Sequence, residues 1–297
     1  MSLGASPSSH TSVLRRQEAR LGYKLIAPAI GIIALLVVYP IAFNIYLSFF
    51  DVELNGSRTF VGLQNYTSLL NDSGFYHSIW TSVIYLFGTV IGGTTLGLLV
   101  ALLMNQEFRF RGLARALILL PYFAPVISVV FGWQFIFDPV NGIYNHLVVD
   151  VFHLTDAREN LIGNPESALG VVILFDIWKH FPIAYLLLLA KLQSIPKDLY
   201  EAAAIDGVGP VGRFFVVTLP EIRFVLGTVI LLRVIWNLNR FEDVFLLAPN
   251  VMTLPIFTYY HAFTGVIDQG LAASVSVLQL AVLAGLIWFY VRKVLKW

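Results

Sequence analysis

Charged and amide side chains recur at helical spacing within two long apolar stretches of the chain. The first stretch carries Asp176, Lys179 and His180, and intervals of three and four residues place them on one face of a helix. The second stretch carries a similar stripe, with Asn239 and Glu242 beside it. The stripe consists of Arg233, Trp236, Asn237, Arg240 and Asp243. Carboxylate, amide and guanidinium groups can bind pairs of sugar hydroxyls, and an indole ring can cover the apolar face of a sugar.

Two interpretations of these residues remain open. Charges inside a membrane span are costly, and they usually face a bundle interior or an aqueous cavity. One interpretation is an internal salt-bridge network that joins helices, for example Asp176 with Arg240. The other is a cavity that binds a polyol weakly enough to release it again. For such a substrate path we expect contacts from Asp176, Lys179, His180, Trp236, Asn237, Asn239 and Arg240.

The stretches that carry these residues are typical of a membrane protein. The chain is 58% hydrophobic and 12% charged, whereas a soluble domain has about 25% charged residues. A helix that crosses a bilayer needs about 20 mostly apolar residues, and its backbone groups must be hydrogen-bonded internally. We therefore expect an all-α membrane protein with six transmembrane helices. The predicted spans are 24–50, 79–104, 113–137, 168–191, 222–248 and 270–291.

The distribution of Lys and Arg predicts the orientation of the chain, because these residues accumulate on cytoplasmic loops. If the N-terminus is cytoplasmic, Arg58 and Arg158 are the only Lys or Arg residues in the predicted outer loops, 51–78, 138–167 and 249–269. Both termini are therefore predicted to be cytoplasmic. Residues 1–22 are polar and Ser-rich, which predicts a disordered cytoplasmic tail before a six-helix transmembrane domain over 23–297.

Several classes of function are disfavoured by what the sequence lacks. There is no cysteine, and the six histidines show no paired metal-ligand spacing, so we predict no metal site. The chain has no phosphate-binding loop of the GxxxxGK[ST] type, so it is not expected to bind ATP itself. No catalytic residue is predicted, because nothing in the sequence brings Ser128 and His180 together. The net charge of +1, without a basic run, indicates no nucleic-acid partner.

Two further segments have a predicted structural role. Gly88–Gly92 and Gly93–Gly97 form small-xxx-small pairs that favour close helix packing.

On the cytoplasmic side, a segment at about 194–221 interrupts the apolar chain between Pro196 and Pro220. Pro196 and Pro210 can each start a short helix, the second ending at Leu219-Pro220, and Gly207 and Gly209 offer left-handed termination. The segment is thus predicted to form two short surface helices.

The pattern of this segment resembles the EAA loop of permease subunits of binding-protein-dependent ABC importers. The matching residues are Glu201, Ala202, Ala203, Asp206, Gly207, Phe214, Leu219 and Pro220. The stretches FVGLQNYTSLL, NGIYNHL, QSIPKDLYEAA and FTYYHAFTGVIDQGLAASVSVL are similar to sugar permeases of the MalF/UgpA type. Two departures occur: the usual DGA is Asp206-Gly207-Val208, and the outer loop that usually contains TGGGP is shortened to LAPNVMT.

The resemblance implies a type I ABC importer permease fold for 23–297, in the inner or plasma membrane of a bacterial cell, with the fourth and fifth spans lining the path. It implies that the EAA loop is a coupling helix, seated in a cleft of a separate ATPase. The implied ATPase-coupling residues are Glu201, Ala202, Ala203, Asp206, Gly207, Leu219 and Pro220.

The resemblance also implies the partners. These are a second permease, two ATPase subunits that bind ATP and Mg²⁺, an extracytoplasmic sugar-binding protein, membrane lipid and a sugar. The similarity extends to actinobacterial trehalose importers, which implies a disaccharide such as trehalose. This chain would bind no cofactor of its own. The alternative is an ion-coupled secondary transporter, in which Asp176, Lys179 and Arg240 relay ions or protons and no ATPase is needed.

Overall fold

The computed structural model describes residues 8–53, 56–265 and 267–293, with side chains from residue 18 onward. Five helices in these residues are long and apolar enough to cross a membrane, and a bent pair of helices makes up to six. The structure is therefore helical as predicted, with one small hairpin added.

The first span begins earlier than predicted. Helix α1 (Ser8–Ile33) continues through a π-helical turn (Ala34–Val38) into α2 (Tyr39–Leu47). Residues 8–22, which we expected to be a disordered tail, belong to α1, because residues 14–20 are mostly strong helix formers. Residues 1–7 lie outside the described residues.

A compact connection, on the side of the protein predicted to be the outer one, joins the first span to the second. Strands β1 (Phe50–Val52) and β2 (Arg58–Phe60) pair antiparallel, and α3 (Gln64–Leu70) follows. The Asn65 amide donates to the Ser48 carbonyl at 2.9 Å, and Ser274 Oγ from the last span contacts the same oxygen at 3.2 Å. These bonds fix the outer end of the first span against the last one.

The third predicted span is broken, which corrects the continuous helix expected over 113–137. After α4 (Ser73–Asn105), helices α5 (Arg111–Phe123) and α6 (Val126–Ile136) meet at 93°. Pro125 has no N–H to donate and forces Ala124 into an extended conformation, with ψ of 139°. The outer loop that follows holds α7 (Ile143–Asn145) and a π-helical turn, His146–Val151.

The fourth span, α8 (Pro165–Gln193), packs lengthwise against α4. The glycines of α4 permit this approach. A Cβ placed on Gly97 would lie 2.7 Å from the Ala184 Cβ and 2.9 Å from the Tyr185 nitrogen. Ala184, Tyr185 and Leu188 are wholly buried at this contact and form the centre of the apolar core.

The segment at about 194–221, which we predicted to be cytoplasmic and call the cytoplasmic segment, forms α9 (Lys197–Ile205) and α10 (Pro210–Arg213). Contrary to the prediction, the second helix does not end at Leu219-Pro220. It continues through a π-helical turn (Phe214–Thr218) into α11 (Leu219–Leu238), because Pro220 lies in the first turn of α11, where a missing N–H is tolerated.

The fifth span ends at Leu238, ten residues before the predicted limit at 248. The Asn239 side chain donates to the Ile235 carbonyl at 2.9 Å, and the backbone then leaves the helix. The chain continues as α12 (Glu242–Leu247), α13 (Leu254–Phe263) and the sixth span, α14 (Gln269–Lys293). The polar stripe predicted on one long helix is therefore divided between α11, a short loop and α12.

Candidate functional site

A cavity of about 830 Å³ lies among the bent helix pair, α8, the end of α11 and the start of α12. The break after α5 exposes Tyr122, Ala124 and Val126 to this cavity. The predicted substrate-path residues Lys179, His180, Trp236, Asn237, Asn239 and Arg240 line it, together with Glu242. Asp176 does not line the cavity and is wholly buried behind its wall.

Asp176 is surrounded by protein donors. Its carboxylate accepts hydrogen bonds from the Tyr85 hydroxyl at 3.0 Å, Asn237 Nδ2 at 3.3 Å and an Arg233 Nη at 3.4 Å. Arg240 Nε approaches the same carboxylate at 3.6 Å from the cavity side. In this structure Asp176 therefore holds other side chains in place, rather than facing the cavity.

Asp243 is the second buried carboxylate. Although it lies on α12, it accepts a hydrogen bond from Lys179 Nζ on α8 at 2.9 Å. Its other oxygen lies 2.8 Å from His180 Nε2 and 3.5 Å from Arg240 Nη1. The early end of α11 makes these contacts possible, because the chain turns back towards α8 before α12 begins.

Arg233 is 2% exposed and connects three helices. It donates to the Thr89 carbonyl on α4 at 2.8 Å and to the His180 carbonyl on α8 at 3.0 Å, in addition to Asp176. Asn237 also reaches α4, where its amide donates to the Thr89 hydroxyl at 2.7 Å. Sequence reasoning missed Tyr85 and Thr89. The one sequence signal for these two residues is that they precede Gly93 at intervals of four, which places all three on one face of α4.

We refer to Asp176, Lys179, His180, Arg233, Arg240 and Asp243 as the charge cluster. Its two carboxylates face three permanent cations, so each buried charge has a partner of opposite sign, as a low-dielectric interior requires. The predicted pair of Asp176 with Arg240 is present. The cavity is present as well, with Trp236 42% exposed and the Arg240 side chain 23% exposed. The ion-pair network and the cavity therefore occur side by side, and Lys179, His180 and Arg240 belong to both.

Three members of the charge cluster could hold a metal ion by distance alone. The ligand atoms of Asp176, His180 and Asp243 lie within 4.8 Å of one another. The same carboxylates already accept from Lys179 and Arg233, whose positive charges oppose a further cation. The donor set is better described as an ion-pair network than as a metal site.

The C-terminal end of α11 is held by a contact from the sixth span. Gln279 Nε2 donates to the Leu238 carbonyl at 2.5 Å and lies 3.3 Å from Asn239 Oδ1. Because a helix leaves its last carbonyls without intrahelical partners, this contact satisfies one of them. It also keeps Asn239 exposed at the cavity.

The cytoplasmic segment has a defined surface. Gly207 ends α9 in the left-handed region, with φ of +77°. Hydrogen bonds from Val208 N to Ala203 O and from Gly207 N to Ala204 O complete a Schellman motif. Gly209, for which we predicted the same role, has φ of −69° and instead caps α10.

Of the predicted coupling residues, Ala203 is buried and Leu219 is half-buried. Glu201, Ala202, Asp206, Gly207 and Pro220 are exposed. Ala203 and Val217 pack at the base of the segment, where Tyr200 Oη contacts Thr218 Oγ1 at 3.0 Å. The segment therefore presents a small, partly acidic face supported by contacts to the helix that leads into α11.

Comparison with known proteins identifies the family. The model of the binding-protein-dependent transport system inner membrane component matches residues 93–287. The inner membrane ABC transporter permease protein YcjO of Escherichia coli is 44% identical over 264 residues, covering 88% of this chain and 90% of that protein. The trehalose/maltose transport system permease protein MalF of Thermococcus litoralis is 34% identical over 276 residues, covering 90% of this chain and 91% of that protein.

Two further comparisons extend this result. The sulfoquinovosyl glycerol transport system permease protein SmoG of Agrobacterium fabrum is 32% identical over 273 residues, covering 88% of this chain and 86% of that protein. A solved chain of a bacterial alginate ABC transporter, in complex with a periplasmic protein bound to alginate pentasaccharide, superimposes with a TM-score of 0.80. The superposition covers 94% of this chain and 96% of the alginate transporter chain at 21% identity, so it shows a shared fold.

The matched region contains α8, the cytoplasmic segment and the charge cluster, and the helices have the arrangement of an ABC transporter permease. The chain therefore belongs to the family of binding-protein-dependent transport system inner membrane components, and it is a multi-pass protein of the inner membrane.

Proposed function

We propose that this chain is the permease subunit of an ATP-driven importer, which passes a sugar into the cytoplasm by alternating access. The observation that carries this proposal is the cavity, whose wall combines an exposed indole with amide and guanidinium groups. Family membership supports the transport role, and the names of the relatives, for trehalose/maltose and for sulfoquinovosyl glycerol, support a sugar as cargo.

The wall of the cavity suits a polyhydroxylated molecule. Trp236 offers an aromatic face, while Asn239, Arg240 and Glu242 offer donors and acceptors beside it. The volume of about 830 Å³ falls within the range of small-molecule sites, about 300–1,000 Å³. Lys179 and Asp243 belong to the same wall but are almost fully buried against each other, so they support it by their ion pair. We propose a disaccharide such as trehalose as the cargo.

The exposed face of the cytoplasmic segment supports a coupling role. Glu201, Ala202 and Asp206 are available on its surface, and Ile205 is 87% exposed. We infer that one ATPase subunit docks here and that its closure moves α9, and through it the helix entering α11. A second permease completes the path, two ATPase subunits bind ATP and Mg²⁺, and a sugar-binding protein delivers the cargo from outside. In this arrangement both termini are cytoplasmic.

An ion-coupled secondary transporter is not favoured, because the family consists of components of binding-protein-dependent systems. The two functions predict different requirements. An ABC permease needs ATP and partner subunits, whereas a secondary transporter needs an ion gradient and acts without them.

The test is uptake of radiolabelled trehalose by proteoliposomes that contain this chain with its partner permease, ATPase and binding protein. Uptake should require ATP on the ATPase side and binding protein on the other, and an ionophore should leave it unchanged. Glu201→Ala should abolish uptake while the four proteins still co-purify. Uptake by this chain alone, abolished by the ionophore, would instead support the secondary transporter. A panel of other disaccharides and acidic sugars tests the cargo separately.

A further inference from the structure

One glycine of α4 differs from its neighbours in what it faces. Gly88, Gly92 and Gly97 point at α8, where an added Cβ would meet Ile173, Ile177 and Ala184 respectively. These three glycines serve close helix packing, as their spacing predicts.

Gly93 instead faces the guanidinium of Arg233, and a Cβ there would lie 2.5 Å from the Arg233 Cζ. The absent side chain at position 93 therefore provides the space that Arg233 occupies.

Arg233 uses this space to make three contacts at once. One Nη donates to the Thr89 carbonyl, one turn before Gly93, and also reaches Asp176 Oδ1, while the other donates to the His180 carbonyl. Arg233 also lines the cavity, but at 2% exposure it has almost no surface left for a transported molecule. Its hydrogen bonds all go to protein groups.

Asp176 lies between two guanidinium groups that differ in their exposure. The nearly buried Arg233 lies 3.4 Å from the carboxylate, and the more exposed Arg240 lies 3.6 Å from it. The Arg240 side chain is 23% exposed. One Nη donates to Asn237 Oδ1 at 3.3 Å, the other lies 3.5 Å from Asp243 Oδ2, and the buried Nε makes no hydrogen bond among the described residues. Because Arg233 already compensates Asp176, Arg240 is not required to do so.

We propose that Arg233, which occupies the space left by the absent side chain of Gly93, is a positioning residue that fixes Asp176. The exposed part of Arg240 is thereby left free to contact the transported molecule. This inference rests on the proposed function. If Arg233 is displaced, Asp176 loses its buried cation and draws Arg240 away from the cavity, so the apparent affinity for the cargo falls.

The test is a double-mutant cycle on ATP-driven uptake, with KM and Vmax measured at equal amounts of assembled complex. Gly93→Ala and Arg233→Gln should each raise KM by about tenfold, the scale of one lost charge-assisted hydrogen bond. The variant that carries both Gly93→Ala and Arg233→Gln should have a KM no higher than that of Arg233→Gln alone, because a Gln side chain ends before it reaches Gly93. Arg233→Lys should recover part of the loss, since its ammonium still compensates Asp176.

Gly92→Ala is the matched control, because an added methyl there meets Ile177 rather than Arg233. Its effect should be the same in the wild-type background and in the Arg233→Gln background. If the Arg233→Gln complex does not assemble, the cycle is repeated with Arg233→Lys, which lacks the Nη atoms.

Two results overturn the proposal: wild-type KM in Gly93→Ala, or a Gly93→Ala effect that is equally large in both backgrounds. A wild-type complex that takes up no sugar would instead contradict the proposed function.

Discussion

Asp243 accepts a hydrogen bond from Lys179 at 2.9 Å across 64 residues of chain, and both side chains are buried. The contact joins α12 to α8 and thereby holds the loop between α11 and α12, with Asn239 and Arg240, at the cavity. Because this pair is buried, removal of one partner is more damaging than removal of both.

We therefore expect Asp243→Ala to lower stability by about 3–5 kcal/mol, because it leaves the Lys179 ammonium buried without a carboxylate. Thermal unfolding of the purified complex in detergent measures this loss. The double variant K179M/D243L should recover most of the Tm but not the uptake. Asp150→Ala is the control, since its pair with Arg158 is exposed and should leave Tm nearly unchanged. Equal Tm values for the two single variants would contradict the role assigned to Asp243.

The left-handed turn at the end of α9 predicts unequal effects of two nearby glycines. Gly207→Ala should cost about 1 kcal/mol locally, since Ala is strained at φ of +77°. Gly209→Ala is the matched control, because φ there is −69° and nothing lies within 4 Å of an added Cβ. The ratio of sugar imported to ATP hydrolysed should fall for Gly207→Ala and stay constant for Gly209→Ala. A constant ratio for both would show that the turn is not needed for coupling.

The exposed indole in the cavity can be tested directly. Trp236→Ala should raise the KM for uptake by about tenfold, on the scale of one lost aromatic contact with the sugar. Trp80→Ala is the control, because Trp80 is 65% exposed on α4 and does not line the cavity. Uptake kinetics at matched protein amounts distinguish the two variants. An unchanged KM in Trp236→Ala would remove this residue from the substrate path.

The outer loop after α6 should depend on pH through Asp150. Its hydrogen bond with His146 at 3.0 Å, together with the charge of Arg158 at 2.8 Å, holds the pKa of Asp150 below its ordinary value. A lowered folded-state pKa stabilises the loop above the unfolded value of about 3.9, and this stability is lost as the pH falls through the lower, folded pKa.

Pepsin cleavage of the loop, followed between pH 5 and pH 2, should therefore increase only below about pH 4 in the wild type. Asp150→Asn should be cleaved more readily at pH 5 and should lose most of the pH dependence. Asp156→Asn, exposed in the same loop, is the control and should follow the wild type. A wild-type profile for Asp150→Asn would show that the three-residue contact does not order the loop.

The sequence predicted the helical class well and the helix limits less well. Hydrophobic length is a strong signal, and it identified the five long apolar helices among the described residues as well as the region of the bent pair. It did not reveal that Pro125 bends the third span by 93° while Pro121 is accommodated inside α5. The difference depends on neighbouring contacts, because a proline can either break a helix or be tolerated in it. The same holds at Asn239, whose folded-back amide ends α11.

For the site, periodicity brought together the right residues for a partly wrong reason. Arg240 and Asp243 were placed on one helix with Arg233, yet they reach Asp176 and Lys179 by way of a loop and α12. Tyr85 and Thr89 could not be predicted, because a hydroxyl in an apolar helix gives no indication of the helix it will face. The assignment of Gly93 to helix packing was natural from its spacing, and only the position of Arg233 separates it from Gly92.

The charge cluster also has a consequence for the order in which the chain enters the membrane. Asp176 and Lys179 leave the ribosome 57 and 64 residues ahead of their later partners, Arg233 and Asp243. Until then the fourth span must carry two opposite charges three residues apart, a spacing at which they can pair with each other on one helical turn. Synthesis of the fifth span then supplies Arg233 to Asp176, and synthesis of α12 supplies Asp243 to Lys179. The charge cluster can therefore be complete only when α12 has been made.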